Sequence, residues 1–282
     1  MLLINGKKIN TEKYPNNETK VKDFMEALDT DECLLELKYE SDRDLISLMF
    51  AKKRLDEMGK KTDLFIWYMP YSRMDREIPG DLFTLKYACG FLSGLNFNEI
   101  TVMEPHSYQT EALFSENGIN IKTVYPTKEW LYQIMEKTSF GTQDHIVFPD
   151  MGAAQRYCDM DILNPLIFNK KRNPITGNIE DIELEEGTVN LNSHCIIIDD
   201  LCSKGGTFLS VGNTLKALGA KKVSLLVAHC ENTIFEGRLL QDDSPIDIIY
   251  TSDSMLKKEH PKIKKLSLEA EQYGTETNDM QP

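Results

Sequence analysis

No apolar run in this 282-residue chain approaches the roughly 20 residues that span a bilayer, so no membrane-spanning helix is expected. The opening stretch MLLINGKKIN has no basic start, long apolar centre or small-residue cleavage site, and the expected location is the cytoplasm. Cysteine is sparse: six residues, at 33, 89, 158, 195, 202 and 230, form no CxxC pair. That spacing argues against a disulfide framework and reads as reduced, partly buried thiols. Positive charge is in deficit, 32 Lys and Arg against 45 Asp and Glu, for a formal charge of -13. A surface of that sign argues against a general nucleic-acid binder, because phosphate backbones need net positive partners. An anionic small substrate is compatible with it, given a local basic pocket or a metal ion.

What the chain does have is alternation. With 41% hydrophobic residues it is long enough for one large or two ordinary domains. Strand-like runs (CLLELKY, DLFIWYM, EITVME, INIKTVY, HIVFP, PLIFN, CIIID, KVSLLVAH, IDIIYTS) are separated by segments of helical period such as DLISLMFAKKRLDEMG. Strands apolar along their whole length mark parallel sheets covered by helices on both faces, an α/β class. The expected domains are residues 1–135 and 136–268, followed by a disordered acidic tail at 269–282. Residues 170–190, polar and carrying Pro174, Gly177 and Gly187, read as a mobile hairpin or lid.

The stretch with most chemistry in it is HCIIIDDLCSKGGT, residues 194–207. An apolar strand runs into Asp199 and Asp200, then into a loop with Gly205, Gly206 and Thr207. In an open parallel sheet ligands bind beyond the carboxyl ends of the strands, where these aspartates are expected. The glycines let backbone N–H groups, and the helix that starts there, approach an anion closely. Carboxylates repel that same anion, so they must face another part of the ligand. A sugar phosphate satisfies both, its hydroxyls donating to Asp199 and Asp200 while its phosphate sits in the loop Ser203, Lys204, Gly205, Gly206 and Thr207. The stretch is neither a Walker loop nor GxGxxG. A plain strand-to-helix turn capped by Thr207 is the alternative.

This run resembles the signature of type I phosphoribosyltransferases and of ribose-phosphate pyrophosphokinases. YPNNET (14–19), PYSRMDRE (70–77), EPHSYQ (104–109), FPDMGAAQR (148–156), NKKR (169–172) and AHCENTIFEG (228–237) resemble the pyrophosphokinase motifs in the same order. The resemblance implies two tandem phosphoribosyltransferase-like domains, each a mostly parallel sheet flanked by helices. It implies a homo-oligomer, dimers within hexamers, with ATP between subunits. The implied reaction is Mg2+-dependent transfer of the β,γ-diphosphoryl group of ATP to the 1-hydroxyl of a 5'-phosphorylated ribose, with AMP released.

The same resemblance implies roles for particular residues. Tyr14, Asn16 and Glu18 would border the adenine, Arg73 and Arg76 would touch ATP, and His106 and Asp150 would lie near the metal and ribose. Lys170 and Arg172 would be the catalytic basic pair of the lid, with His106 beside them in catalysis. Read without the family, His106 also suits a cap on the next helix, Asp150 a helix N-cap, and SRMDRE a solvated salt-bridged turn. The chain departs from the family at Ser203, where an acid is usual, and at Lys204, where a neutral hydroxyl residue is usual. The loop is thereby about two charges more positive. ADP-ribose as acceptor, as in phage-encoded members that rebuild NAD in the host cytoplasm, is one interpretation; ribose 5-phosphate is the other. A phosphoribosyltransferase and a catalytically silent regulatory homologue are the alternatives outside this reaction.

Overall fold

The computed structural model describes residues 1–22, 24, 30–160, 162, 165–172, 179–268 and 270. The chain divides into two compact units, one of residues 1–125 with 268–282 and one of residues 126–267. The division falls ten residues before the expected boundary because helix α4 (Pro126–Lys137) packs against a strand of the second unit and buries Trp130, Leu131 and Ile134. The expected tail, apart from Ala270, lies outside the described residues.

The first unit is a six-stranded sheet in the order β2-β1-β5-β6-β7-β8. Strands β1 (Leu2–Ile4) and β2 (Lys7–Lys8) form a small antiparallel hairpin, turned by Asn5 and Gly6, both at positive φ. Strands β5 (Glu32–Leu37), β6 (Lys61–Ile66), β7 (Ile100–Met103) and β8 (Lys122–Val124) are mutually parallel. Parallel neighbours need crossovers, and these are α1 (Asp42–Glu57), α2 (Thr84–Ser93) and α3 (Gln109–Glu116). Leu35, Leu37, Leu48, Leu55, Leu64, Ile66, Leu92 and Phe114 form the core between sheet and helices. A separate two-stranded sheet, β3 (Asn10–Lys13) with β4 (Thr19–Lys22), stands beside it.

The second unit is a seven-stranded sheet in the order β11-β10-β9-β12-β13-β14-β15. Strands β9 (His145–Phe148), β10 (Leu166–Arg172), β12 (His194–Cys202), β13 (Lys222–Cys230), β14 (Ile248–Ser252) and β15 (Ile263–Leu266) run parallel. Strand β11 (Ile179–Glu186) pairs antiparallel with β10 at the sheet edge. The segment expected as a lid thus includes the end of β10 and all of β11, paired antiparallel at the sheet edge; residues 173–178 lie outside the described residues. Helices α5 (Met151–Arg156) and α6 (Gly206–Ala217) follow β9 and β12.

The chain leaves β9 toward β10 on one side, then returns to lay β12 on the other side of β9. Connections from the adjacent ends of β9 and β12 therefore diverge. Such a topological switch point leaves a crevice at the carboxyl ends of the strands, where α/β sheets bind their ligands.

Candidate functional site

Strand β12 does not stop at the aspartates. It runs on to Cys202, because β13 is equally long and pairs with it through Leu201↔His229 and Cys202↔Cys230. On its other side the pairing with β9 ends at Ile197↔Val147. Asp199 and Asp200 therefore lie beyond the end of β9, at the mouth of the crevice, although they are inside a strand rather than at its end.

A third residue joins them. Arg156, in the last turn of α5, places one guanidinium nitrogen, Nη1, 3.0 Å from Asp199 Oδ1 and 2.9 Å from Asp200 Oδ1. All three side chains are largely buried, Asp200 almost completely. Asp199 Oδ1 also accepts the backbone N–H of Asp200 at 2.9 Å. Burial and the neighbouring Asp200 push the Asp199 carboxyl well above the usual carboxylate range, against the pull of Arg156; Asp150 adds to the repulsion.

Asp150 itself is the N-cap of α5. Its backbone is extended and its Oδ1 accepts the N–H of Ala153 at 2.9 Å, as its plain sequence alternative anticipates. Arg156 offers one positive charge to two acidic groups, and Asp150 adds to the repulsion on Asp199; a divalent cation here would relieve that repulsion and favour the ionised Asp199. Among the described residues no group of three or more His, Cys, Asp or Glu converges as a metal cage. The donor set instead fits Mg2+ held by one or two carboxylates, with substrate phosphate and water completing its shell.

The loop after β12 is shaped by two different glycines. Gly205, the N-cap of α6, sits at φ 79°, and a Cβ there would lie 2.1 Å from Leu239 Cδ1. Only glycine fits. A Cβ on Gly206 would meet nothing within 4 Å, so the space over its backbone is open. Thr207 is half-buried in the first turn of α6, whose N–H groups point into that space. Ser203 directs its hydroxyl at Thr233 Oγ1, 3.0 Å away, and Lys204 pairs with Glu236 at 3.0 Å.

In the first unit the expected nucleotide residues occupy three places. Tyr14, Asn16 and Glu18 form the exposed tip of the β3–β4 hairpin, held by Tyr14 N–H to Glu18 O at 2.9 Å and Glu18 N–H to Asn16 Oδ1 at 3.2 Å. Arg73 and Arg76 are exposed in the turn that follows β6. That turn is anchored by Tyr71, at φ 62°, whose hydroxyl donates to Asp42 Oδ1; Tyr39 donates to the same oxygen at 2.7 Å. His106 is half-buried after β7, and since the N-cap residue of α3 is Tyr108, His106 does not cap that helix. Strands β6 and β7 are parallel neighbours, so the Arg73 turn and the His106 turn leave the same edge of the sheet.

Lys170 and Arg172 lie on β10, opposite Ile182 and Ile179 of β11. Sequence reading did not single out Arg156, although it closes the quoted stretch FPDMGAAQR; its partners lie more than forty positions away and only the switch-point topology joins them.

No protein-family model matches the chain. It is similar to the ribose-phosphate pyrophosphokinase of Saccharolobus solfataricus, 28% identical over 230 residues covering 79% of this chain and 76% of that one. The ribose-phosphate pyrophosphokinase of Pyrococcus abyssi is 29% identical over 233 residues, covering 79% and 77%. Among solved structures, the phosphoribosylpyrophosphate synthetase of Mycobacterium smegmatis superposes with a TM-score of 0.72 at 16% identity, covering 92% of this chain and 85% of that one. The α/β fold is the same, and similarity over three quarters of the sequence makes this chain a homologue of the ribose-phosphate pyrophosphokinases.

Proposed function

We propose that the protein transfers the β,γ-diphosphoryl group of ATP to the 1-hydroxyl of a 5'-phosphorylated ribose and releases AMP. The observation that carries the proposal is the switch point of the second unit, where buried carboxylates on β12, beyond the end of β9, are followed within a few residues by an open glycine loop. A ribose phosphate matches that pairing of acid with bare backbone. The hydroxyls donate to the Asp199 and Asp200 carboxylates, and the 5'-phosphate accepts N–H groups of Gly206 and Thr207 at the positive end of α6. The homologues are ribose-phosphate pyrophosphokinases, which supports ribose 5-phosphate as acceptor. An exposed Lys204 in the same loop favours ADP-ribose as a second acceptor, since its 5' substituent carries one more phosphate.

Phosphoryl-group transfer calls for positioning and charge neutralisation more than for covalent help. When bound, Mg2+ would supply neutralisation of the phosphate oxygens; Asp150 and His106 are the residues proposed to lie near it, with one carboxylate of the Asp199–Asp200 pair available to it. Arg73, Arg76 and His106 would meet the nucleotide phosphates, and Lys170 and Arg172 the diphosphoryl group as charge moves on it. Tyr14, Asn16 and Glu18, on an exposed hairpin tip, would border the adenine of a nucleotide held by a second copy of the chain.

Gly206→Ala tests the acceptor site. The added methyl meets no neighbour and favours the helix, so the melting temperature should hold or rise slightly. It also blocks close approach of the phosphate, and the KM for the acceptor should rise about tenfold or more, the loss of a charge-assisted hydrogen bond. An unchanged KM would remove the phosphate from this loop.

A further inference from the structure

The phosphate loop is braced by the segment that follows β13, the 3₁₀ turn Asn232–Glu236 with its flanks. Glu231 N–H donates to Cys202 O at 2.8 Å. Thr233 gives its only hydroxyl hydrogen to Glu231 Oε2 at 2.7 Å, so Ser203 Oγ must be the donor in its 3.0 Å contact with Thr233. Gly237 lies so close that a Cβ there would stand 2.0 Å from Lys204 O, and Leu239 fills the space beside Gly205. The backbone of the loop is thus fixed from one side. Its only charged side chain, Lys204, is not directed at an external ligand. Its ammonium lies 3.0 Å from Glu236 Oε2, with both side chains more than half exposed (64% and 60%).

We infer that Glu236 is a specificity-determining residue: its carboxylate is an internal anion that competes with the acceptor's phosphate for Lys204. The inference rests on the acceptor site proposed above and deepens it. With Glu236 in place, the positive charge contributed by Lys204 is balanced before any ligand arrives. An incoming phosphate must draw the lysine away from its partner. Because the pair is exposed and its groups can rehydrate, the exchange costs little, and Glu236 tunes affinity without abolishing binding. A short 5'-monophosphate within reach of the α6 N–H groups has limited need of Lys204. A 5'-diphosphate offers it a second anionic group, so the longer acceptor pays the competition and gains the contact. Selection between acceptors of one and two phosphates therefore depends on this pair.

The test is calorimetric titration with ribose 5-phosphate, ADP-ribose and inorganic phosphate against the wild type, Glu236→Gln, Lys204→Met and the double variant, at low ionic strength. Melting temperatures serve as a control on folding. Glu236→Gln should tighten binding, about threefold for ADP-ribose and less for ribose 5-phosphate, within the range of an exposed ion pair. The same substitution in the Lys204→Met background should change nothing. No tightening in Glu236→Gln, or tightening that persists without Lys204, would overturn the inference. So would a wild type that binds none of the three probes, an outcome that also removes the acceptor site. Tightening that requires Lys204, in a protein that releases no AMP from ATP, would sustain the inference while the proposed transfer reaction falls.

Discussion

Arg156 holds two carboxylates that would otherwise repel each other in a buried setting, with bonds of 3.0 and 2.9 Å from a single nitrogen. Removing one partner of a buried ion network leaves uncompensated charge, which costs about 3 to 5 kcal/mol. Arg156→Met should therefore lower stability by about 3 kcal/mol in urea unfolding at pH 7. Arg156→Lys should recover part of that, a point charge being a poorer match to two acceptors than a planar guanidinium. A loss under about 0.5 kcal/mol, the scale of an ordinary surface substitution, would mean that the acidic pair is solvated and needs no partner. At this scale the sequence is legible where chemistry is local. Asp199, Asp200, Gly205 and Gly206 stand within eight consecutive positions and their residue types point to a sugar phosphate. Arg156 and Glu236 are not legible in that way. Each is an ordinary helix-end or turn residue until the fold brings it to a partner more than thirty positions away.

Strand β12 links the site to the opposite end of the sheet, where its first residue, His194, is buried with its Nε2 2.8 Å from Ser224 Oγ and its ring edge-on to Phe140. Burial lowers its pKa to about 4, with Lys222 and Lys216 adding to the shift and Asp144 and Asp247 opposing it. The unfolded chain binds the proton first, near the ordinary value of about 6.5. The stabilisation is therefore complete above that value and is lost as pH falls toward the folded pKa. Between pH 7 and pH 4 this one group should remove about 3 kcal/mol. Urea titrations across that range should show the His194→Gln variant losing less stability than the wild type by this amount; parallel losses would mean His194 is already protonated in the fold. Most of the parallel strands announce themselves as apolar runs, but β15 (IKKL), with two lysines among its four residues, carries no such run and is not among the expected strands. The β1–β2 hairpin is carried by strands of three and two residues, too short for alternation to show. Its remaining signal is the Asn5-Gly6 pair, which suits a turn with both residues at positive φ. The true end of β12 depends on the length of its neighbour β13, a tertiary property that no local pattern carries.

Across the whole molecule, the proposed reaction sets polyanionic substrates against a formal charge of -13. In the proposed reaction basic residues would supply the answer locally: Arg73 and Arg76 in one unit, Lys170, Arg172 and Lys204 in the other. The two-unit α/β organisation follows from the repeated alternation of apolar runs and helical segments, whereas the order of strands, and with it the switch point, comes only from the fold. The proposed reaction draws its nucleotide residues mainly from the first unit and its acceptor residues from the second. It requires cleavage between the α and β phosphates of ATP, which distinguishes it from an ordinary kinase. The most direct measurement is the nucleotide product formed by the purified protein with ATP and Mg2+ in the presence of ribose 5-phosphate or ADP-ribose, separated by chromatography and identified by mass. The account predicts AMP in equal amount with an acceptor heavier by a diphosphoryl group. ADP as the product, or no AMP with either acceptor, would contradict it.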